Sequence, residues 1–443
     1  MNKKLFPILS AFLLLFSLIE KGQATETYRP ETSVAGFIQL PGSGRQVYNF
    51  NPGWRFFKGD IHGAESVDFD DRSWTIVSTP HTVELMPAEA SGCRNYQGPA
   101  WYRKHFVLPA ETKGKRVLIH FEAAMGKQVL YLNGKRIQEH VGGYLPFTLD
   151  LTTNGIQAGD SCLLAIFVDN SNDKSFPPGK PQYTLDFAYH GGIYRDVWMI
   201  AKSPVSITDP LDSQTVAGGG VFVHFDTISE KSAQVYVNTE LQNDNQHTET
   251  VTVETTLTDA DGKVIKRTSG KLSLKSGEKK IIRQQIEVKS PKLWSPDAPY
   301  LYKVQSRIKK GNQSIDGGIT RIGIRLAEFR GKDGFWLNGK PFVQLVGANR
   351  HQDFAYVGNA LPNSQQWRDA KRLRDAGCTI IRVAHYPQDP SFMDACDELG
   401  MFVIVATPGW QYWNKDVKFG ELVHQNTREM IRPYGLKNFP KGY

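Results

Sequence analysis

The sequence predicts a multidomain chain with two β-sandwiches, the second immunoglobulin-like, followed by an incomplete (β/α)8 TIM barrel. Residues 45–200 and 201–327 show strands of alternating polarity separated by turns, without a helical period. After about residue 335, apolar strands alternate with amphipathic helices, as in a parallel α/β unit. The length of 443 residues suits two to four domains. We place a leader at 1–24, the two sandwiches at 25–200 and 201–327, and the incomplete barrel at 328–443.

The segment 1–24 is predicted to be a secretory signal peptide. Lys3 and Lys4 precede an apolar run from Leu5 to Ile19, and a small residue at Ala24 suits cleavage there. The run is short for a membrane span, and no later stretch is long and apolar enough to cross a bilayer. We therefore expect a secreted or periplasmic protein that has no membrane partner after cleavage.

Composition excludes several classes of protein. The net charge of +8 is spread along the chain without a dense Lys/Arg block, so we expect no nucleic-acid partner. The four cysteines form no CxxC pair, which argues against zinc or thioredoxin-type chemistry. Cys93 and Cys162 either form a disulfide or remain free thiols, whereas Cys378 and Cys396 lie in apolar contexts and are expected in a core.

Local patterns support the two β-regions. In RVLIHFEAA, Val117, Ile119 and Phe121 fall on one face of a predicted strand. Asn133-Gly134 follows the next strand and predicts a tight hairpin turn. In the more polar second region, a strand turns at Asp261-Gly262. Strand spacing and domain size there suit an immunoglobulin-like sandwich.

The third region contains three strand–helix units. The predicted strands are PFVQLVG (341–347), TIIRV (379–383) and MFVIVA (401–406), and the predicted helices span 363–377, 389–400 and 419–431. Asn363 and Asp389 are candidate N-caps, Gly400 is a helix stop, and Pro433 is expected to end the third helix. No glycine-rich phosphate loop follows the first strand, which disfavours a dinucleotide-binding fold. A complete barrel would need eight such units.

In a barrel, function lies just after the carboxyl ends of the strands. Three stretches hold that position here, GANRHQD (347–353), RVAHYPQDP (382–390) and ATPGWQYWN (406–414). Their candidate site residues are Arg350, His351, Arg382, His385, Trp410 and Trp413. Arginine and histidine donate to hydroxyl groups and tryptophan offers a flat face, so the set suits a neutral polyhydroxylated ligand such as a sugar.

Other chemistries find less support. Each of these six residues alone is more often structural, and only their convergence on three consecutive loops favours a site. The two histidines lack the HExxH spacing of a zinc helix, and no GxSxG elbow is present. Asp394, Asp397 and Glu398 fall within the second helix and are expected to be surface charges.

Long motifs run through all three regions. They are WYRKHF (101–106), VLYLNGKRIQEHVGGYLPF (129–147), HGGIYRDVWM (190–199), LWSPDAPYLY (293–302), GIRLAEF (323–329), GFWLNGKPFVQLVGANRHQD (334–353) and IIRVAHYP (380–387). With them, nearly the whole chain after the leader resembles glycoside hydrolase family 2, which contains β-galactosidases, β-glucuronidases and β-mannosidases. The resemblance implies a jelly-roll sugar-binding domain at 25–200 and hydrolysis of O-glycosidic bonds with retention.

The resemblance also implies site residues and a carbohydrate substrate. In this family His351, Arg382 and His385 would line the pocket. Asp186, six residues before Gly192, matches the sugar-contacting aspartate of a loop from the first domain. The best-known β-galactosidases carry acidic magnesium ligands where this chain reads ATPGWQYWN, so we expect neither a metal nor a cofactor there and assign Trp410 and Trp413 to a stacking wall. NYQG (95–98) departs from the Asn-Pro-x-Gly stretch of those enzymes and weakens an assignment to galactose.

The family's two catalytic glutamates have no counterpart in this sequence. The acid/base stands in an Asn-Glu pair after strand four and the nucleophile after strand seven, but the chain has no Asn-Glu dipeptide and PYGLKNFPKGY (433–443) shows no β pattern. We expect a β-galactosidase-like exo-glycosidase that is truncated within its barrel, by a frameshift, a genuine short form or an incomplete gene model, and is inactive alone. A non-catalytic carbohydrate-binding protein and a fragment complemented by another chain are the alternatives, and a homo-oligomer is left open.

Overall fold

The computed structural model describes residues 39–86, 95–211, 213, 219–342, 344–434 and 437–440. The predicted signal peptide and Cys93 lie outside these ranges, so the leader and the Cys93–Cys162 disulfide stay predictions. Within the described part of the chain, no helix has the length and apolar character needed to span a membrane. Cys396 is buried in the core of the third region and Cys378 packs against that core, as the sequence predicts.

The first domain is an antiparallel β-sandwich. Its strands are β1 (Gln46–Asn49), β2 (Trp54–Lys58), β3 (Thr75–Val77), β4 (Pro99–Val107), β5 (Arg116–Phe121), β6 (Lys127–Leu132), β7 (Lys135–Val141), β8 (Phe147–Asp150), β9 (Ser161–Asp169) and β10 (Val197–Lys202). They form one sheet of order β1-β10-β5-β8 and a second of order β3-β2-β4-β9-β6-β7. The long connection from β9 to β10 carries the predicted aspartate, Asp186.

Apolar side chains from the two sheets meet in one core. Trp54, Tyr102 and Leu164 are fully buried there together with the predicted face of β5, Val117, Ile119 and Phe121. Burying a large apolar side chain stabilises a fold by roughly 1.5–3 kcal/mol.

The Asn133-Gly134 hairpin is confirmed between β6 and β7. Asn133 and Gly134 have φ angles of 50° and 81°, as a type I′ turn requires at both central positions.

The second domain is also a sandwich. Its strands are β11 (Val205–Ile207), β12 (Val221–Asp226), β13 (Ser232–Asn243), β14 (Glu249–Thr258), β15 (Val264–Leu274), β16 (Lys279–Lys289), β17 (Tyr302–Lys310) and β18 (Gln313–Ile322). One sheet has the order β15-β14-β17-β18, and in the other β13 pairs with β11, β12 and β16. Val235, Leu257 and Val304 are fully buried between them.

The third region begins with a small antiparallel sheet and continues as a parallel βα unit. Its strands are β19 (Ala327–Phe329), β20 (Phe335–Leu337), β21 (Lys340–Pro341), β22 (Gly347–Arg350), β23 (Ile380–Val383) and β24 (Phe402–Val405), and its helices are α1 (Asn363–Asp375), α2 (Pro390–Leu399) and α3 (Val417–Tyr434). β22, β23 and β24 are parallel neighbours in that order, as expected for consecutive barrel strands.

The first barrel strand lies later than predicted. The sequence placed it at 341–347, but Pro341 pairs within the preceding hairpin and the parallel ladder starts at Gly347 opposite Ile380. A Cβ on residue 347 would lie 1.7 Å from the carbonyl oxygen of Ile380, so only glycine allows this close approach. Arg350 consequently belongs to the strand itself.

The helix ends match the sequence in part. Asp389 caps α2 by accepting from the backbone N–H of Ser391, and Gly400 ends that helix in a left-handed conformation, both as predicted. Asn363 is not the cap of α1, because Pro362 holds that position and the Asn363 amide donates to Asp196 of the first domain. Pro433 does not stop α3, which runs to Tyr434.

The tail forms a strand, which the sequence did not predict. β25 (Lys437–Pro440) pairs in parallel with β12 of the second domain. This pairing is available because β12 has β13 on one side only, and a free sheet edge offers unpaired backbone donors and acceptors.

The acidic residues of α2 are not surface charges as a group. Asp394 is buried and lies 3.1 Å from the guanidinium of Arg321 on β18, which also binds Glu398. This prediction was wrong because the helix face that carries these acids packs against the second domain, where Arg321 compensates their charge. A buried ion pair of this kind is costly to break, since removal of one partner leaves a charge uncompensated.

Candidate functional site

The site lies where the barrel strands end. His351 directly follows β22, His385 lies two residues after β23, and Trp410 lies in the connection after β24. Parallel strands bring these ends to one edge of the sheet. The peptide bond between Ala384 and His385 is cis.

A loop of the first domain reaches the same edge. The backbone carbonyl of Lys174 accepts a hydrogen bond from the Asn414 side chain at 2.9 Å. Gly409 allows the loop to approach, since a Cβ there would lie 2.8 Å from the Cα of Pro178. These contacts hold the loop that contains Asp186 against the connection after β24.

Asp186 meets both histidines. One side-chain ligand atom each from Asp186, His351 and His385 lies within 4.8 Å of the others. The Asp186 side chain is exposed and the two imidazoles are half-buried. The structure thus brings together three predicted site residues that come from two domains.

Phe187 is a site residue that sequence reasoning missed. Its buried ring stacks on His351 with centroids 4.9 Å apart and lies 5.7 Å from His385. Tyr386, equally missed, places its hydroxyl 3.3 Å from Nδ1 of His351. Their place in the sequence could have indicated both residues, because Phe187 directly follows Asp186 and Tyr386 directly follows His385.

Arg382 defines the protonation of His385. Its Nη1 donates to Nδ1 of His385 at 2.8 Å. A guanidinium has no acceptor, so Nδ1 must accept, and the neutral imidazole then carries its proton on Nε2. His385 therefore offers a hydrogen-bond donor to a ligand at Nε2.

Both imidazoles are held neutral. Burial lowers the pKa of His351 below its ordinary value, and Asp353 and Asp186 oppose this effect. Burial also lowers the pKa of His385, with a further contribution from the positive charge of Arg382. At neutral pH the edge thus presents neutral imidazoles, a carboxylate and a guanidinium, which suit hydroxyl groups.

The same three residues have the spacing of a metal site, but the hydrogen bonding disfavours one. Metals bind an imidazole nitrogen that carries no proton. Because Arg382 occupies Nδ1 of His385, the proton stands on the nitrogen that an ion would need. Hydrogen bonding to hydroxyl groups therefore suits Asp186, His351 and His385 better than coordination of an ion.

The two tryptophans differ in their surroundings. Trp410 is 56% exposed, its ring lies 5.5 Å from that of His385, and the Arg382 guanidinium lies 5.6 Å from its centre. Trp413 is 68% exposed and packs against Phe419, 6.4 Å away. Trp410 thus borders the polar group, whereas Trp413 packs at the start of α3.

Arg350 does not join the group around His351, in contrast to its predicted position. Its side chain is buried between α1 and α2, where it donates to Gln366, Asp369 and Gln388 and lies 4.0 Å from the Phe392 ring centre. Neighbouring residues of a strand point to opposite faces, so a strand that includes Arg350 directs this side chain toward the helices.

Comparisons with known proteins agree with this architecture. The family described as "Glycosyl hydrolases family 2" matches at residues 219–325, its sugar binding domain at 64–204 and its TIM barrel domain at 329–429.

Two curated relatives illustrate the similarity. A β-galactosidase of Thermoanaerobacter pseudethanolicus is 35% identical over 394 residues, which are 88% of this chain and 50% of the relative. A β-glucuronidase of Formosa agariphila is 33% identical over 381 residues, 83% of this chain and 38% of the relative. The chain thus spans half or less of the length of these relatives.

A solved structure agrees as well. β-Glucuronidase 2 of Bacteroides uniformis superposes with a TM-score of 0.79 at 31% identity, over 88% of this chain and 46% of that protein. The fold, the residues at the barrel edge and the three matched regions lead to one conclusion: the chain belongs to glycosyl hydrolase family 2, with the sugar-binding, immunoglobulin-like and TIM barrel domains of that family.

Proposed function

We propose that this chain supplies the sugar-binding part of an exo-acting, β-galactosidase-like glycosidase site. The meeting of Asp186 with His351 and His385 is the observation that carries the proposal, because it builds one polar group from two domains. Trp410 borders this group with an exposed indole face. A face of this kind packs against the apolar side of a sugar ring while the polar groups bind its hydroxyls.

A neutral hexoside fits the group better than a uronide. The Asp186 carboxylate accepts hydrogen bonds from hydroxyls but repels the carboxylate of a uronic acid. Arg382 and the Nε2–H of His385 supply the donors that a hydroxyl oxygen needs. On this basis a β-galactoside is the first ligand to test, and a β-glucuronide is the second.

Turnover needs two carboxylates about 5 Å apart, one to protonate the leaving oxygen and one to attack the sugar carbon. Family resemblance assigns these to glutamates after barrel strands four and seven. The sequence contains no Asn-Glu pair. We therefore propose that the 443 residues alone bind a glycoside and do not hydrolyse it. On separate grounds, the charged and apolar pattern of the leader, we propose that residues 1–24 direct export.

Completion of the barrel by another chain is a second candidate. Val346, which directly precedes β22, is 47% exposed, and Ile404, within β24, is 50% exposed. Apolar side chains at these positions would be covered by further barrel strands. We propose that such a partner would also supply the two carboxylates that turnover needs.

The test combines a binding and a hydrolysis measurement on the full chain. Titration calorimetry with methyl β-D-galactopyranoside and methyl β-D-glucuronide reports binding, and p-nitrophenyl β-glycosides report hydrolysis. We expect saturable binding of the galactoside, loss of it in His385→Ala, and no hydrolysis. Hydrolysis by the purified chain would overturn the proposed inactivity, and absence of any binding would overturn the sugar site.

A further inference from the structure

Arg195 joins the first domain to the barrel. Its side chain is fully buried. Nη2 donates to the side-chain oxygen of Gln352 at 3.1 Å and to the backbone carbonyl of Pro387 at 2.8 Å, and Nη1 donates to the carbonyl of Tyr144 at 3.3 Å.

The two barrel acceptors belong to different loops. Gln352 directly follows His351 after β22, and Pro387 lies two residues beyond His385 after β23. One nitrogen of Arg195 therefore ties together the loops that carry the two site histidines. Gln352 is itself fully buried, so water does not replace this contact in the folded chain.

Stacking supports the same link. Tyr144 of the first domain lies face to face with Tyr386, with centroids 4.0 Å apart and planes 9° from parallel. The hydroxyl of Tyr386 reaches Nδ1 of His351 at 3.3 Å. The carbonyl of Tyr144 in turn accepts from Arg195, so the arginine holds both the stacked ring pair and the two loops.

Two buried acids lie within the electrostatic reach of Arg195. Burial raises the pKa of Asp389, the cap of α2, and of Glu122, on the first domain, and the positive charge of Arg195 opposes that rise in both. A guanidinium at this point therefore places a positive charge near buried acids and donates in three directions. A lysine would keep the charge, but its single nitrogen on a shorter stem cannot reproduce the guanidinium fork.

We propose that Arg195 is a positioning residue that sets the distance between His351 and His385 from the first domain. It touches no substrate and acts through Gln352 and Pro387. The inference rests on the proposed sugar site. It adds that ligand affinity depends on a domain contact and not on the barrel loops alone.

The test compares two buried interdomain arginines. Arg195→Lys keeps the charge and removes the fork at the site. Arg321→Lys does the same between the second domain and α2, where Arg321 binds Asp394 and Glu398 away from the site histidines. The readouts are affinity for methyl β-D-galactopyranoside, the melting temperature, and the imidazole NMR signals, assigned with His351→Asn and His385→Asn.

We expect Arg195→Lys to weaken binding by about tenfold or more and to shift the signals of both histidines. Arg321→Lys should lower the melting temperature while leaving binding and both signals unchanged. Unchanged binding and signals in Arg195→Lys, or equal changes in both variants, would overturn the proposal.

A second variant and a readout that needs no ligand cover the two ways in which this comparison could fail. If Arg195→Lys does not fold, Gln352→Met removes one acceptor and should weaken binding and shift the His351 signal, and no change in either would contradict the proposal. If the unmodified chain binds no sugar, the proposed function fails, while the NMR signals of Arg195→Lys still decide whether Arg195 positions the histidines.

Discussion

Nη1 of Arg382 donates to Nδ1 of His385 across 2.8 Å, and this contact leaves Nε2 as the nitrogen that carries the proton of the neutral imidazole. Arg382 lies in strand β23 and His385 in the loop that follows, so a rigid element orients a loop side chain. The imidazole itself lies beside Asp186 and Trp410.

Replacement of Arg382 should reduce sugar binding. Arg382→Met removes the donor to Nδ1, so the His385 proton is no longer held on Nε2 and the ring loses its orientation. We expect affinity for methyl β-D-galactopyranoside to fall about tenfold or more, because hydrogen bonds with a charged partner contribute roughly 1.5–3 kcal/mol. Calorimetry measures it, and Arg368→Met, at an exposed position on α1, is the control. Equal affinities in both variants would contradict the assigned role of Arg382.

Binding should weaken in acid and stay constant near neutral pH. Burial and Arg382 lower the pKa of His385, and burial lowers that of His351, below the ordinary 6.5. The neutral forms therefore persist from pH 8 down to at least that value. Below it, protonation of His385 places an N–H against the guanidinium and ends the Arg382 contact. Binding titrations from neutral pH down into acid, well below 6.5, should show a plateau and then a fall, whereas a maximum in acid would show that the charged imidazole binds.

The two tryptophans should respond unequally to truncation. Trp410→Ala removes an indole that contacts His385 and Arg382, whereas Trp413→Ala removes one that packs on Phe419. We expect a loss in sugar affinity of about fivefold for Trp410→Ala, in line with about 1 kcal/mol for aromatic packing. Trp413→Ala should change affinity little and serves as the matched control. The reverse order would place the ligand over α3.

Zinc should not stabilise the chain through Asp186, His351 and His385. In the native chain the proton on Nε2 of His385 opposes an ion, because Arg382 already uses Nδ1. Thermal unfolding with added Zn²⁺ or EDTA should give the same melting temperature. Arg382→Met frees Nδ1 to carry the proton, so that variant should gain stability with zinc. A zinc effect in the native chain that Asp186→Asn abolishes would show that the group is a metal site.

The free energy of unfolding should fall as the pH rises because of Asp196. Burial, with the nearby charge of Asp389, raises the pKa of Asp196 from 3.8 to about 6. Between these values the folded chain keeps a proton that the unfolded chain has released. This contribution to stability is therefore complete below the unfolded value and is lost as the pH rises through about 6.

Asp196→Asn should remove this pH dependence. At pH 7 we expect the free energy of unfolding to rise by up to about 3 kcal/mol, the equivalent of the pKa shift. The new amide can donate to Oδ1 of Asn363, which has no partner in the described structure, once that amide rotates. Denaturant unfolding at several pH values measures the effect, with Asp375→Asn on the exposed face of α1 as control. Parallel pH profiles for Asp196→Asn and the native chain would refute it.

Several features of the fold followed from local sequence. The Asn133-Gly134 turn, the cap at Asp389 and the stop at Gly400 depend on backbone geometry within a few residues, which the side chains there decide directly. His351, Arg382 and His385 were found for a similar reason, because residues at the carboxyl ends of parallel strands converge once the strand order is known.

Other features depend on partners that are distant in the chain. The position of Asn363 suits a helix cap, but its side-chain amide instead donates a hydrogen bond to Asp196 of the first domain. Asp394 and Glu398 look solvent-exposed until Arg321 of the second domain faces them.

By itself, the sequence determined the two sandwiches, the parallel unit and the polar residues at its edge, because hydrophobic period and turn chemistry act locally. Only the tertiary structure decided three other features. They are the direction of the Arg350 side chain toward the helices, the stacking of Phe187 on His351, and the hydrogen bonds from Arg195 to two barrel loops. The physical reason is that burial and hydrogen bonding are properties of surfaces in contact. Which surfaces meet is decided when the domains pack, over separations that no local pattern records.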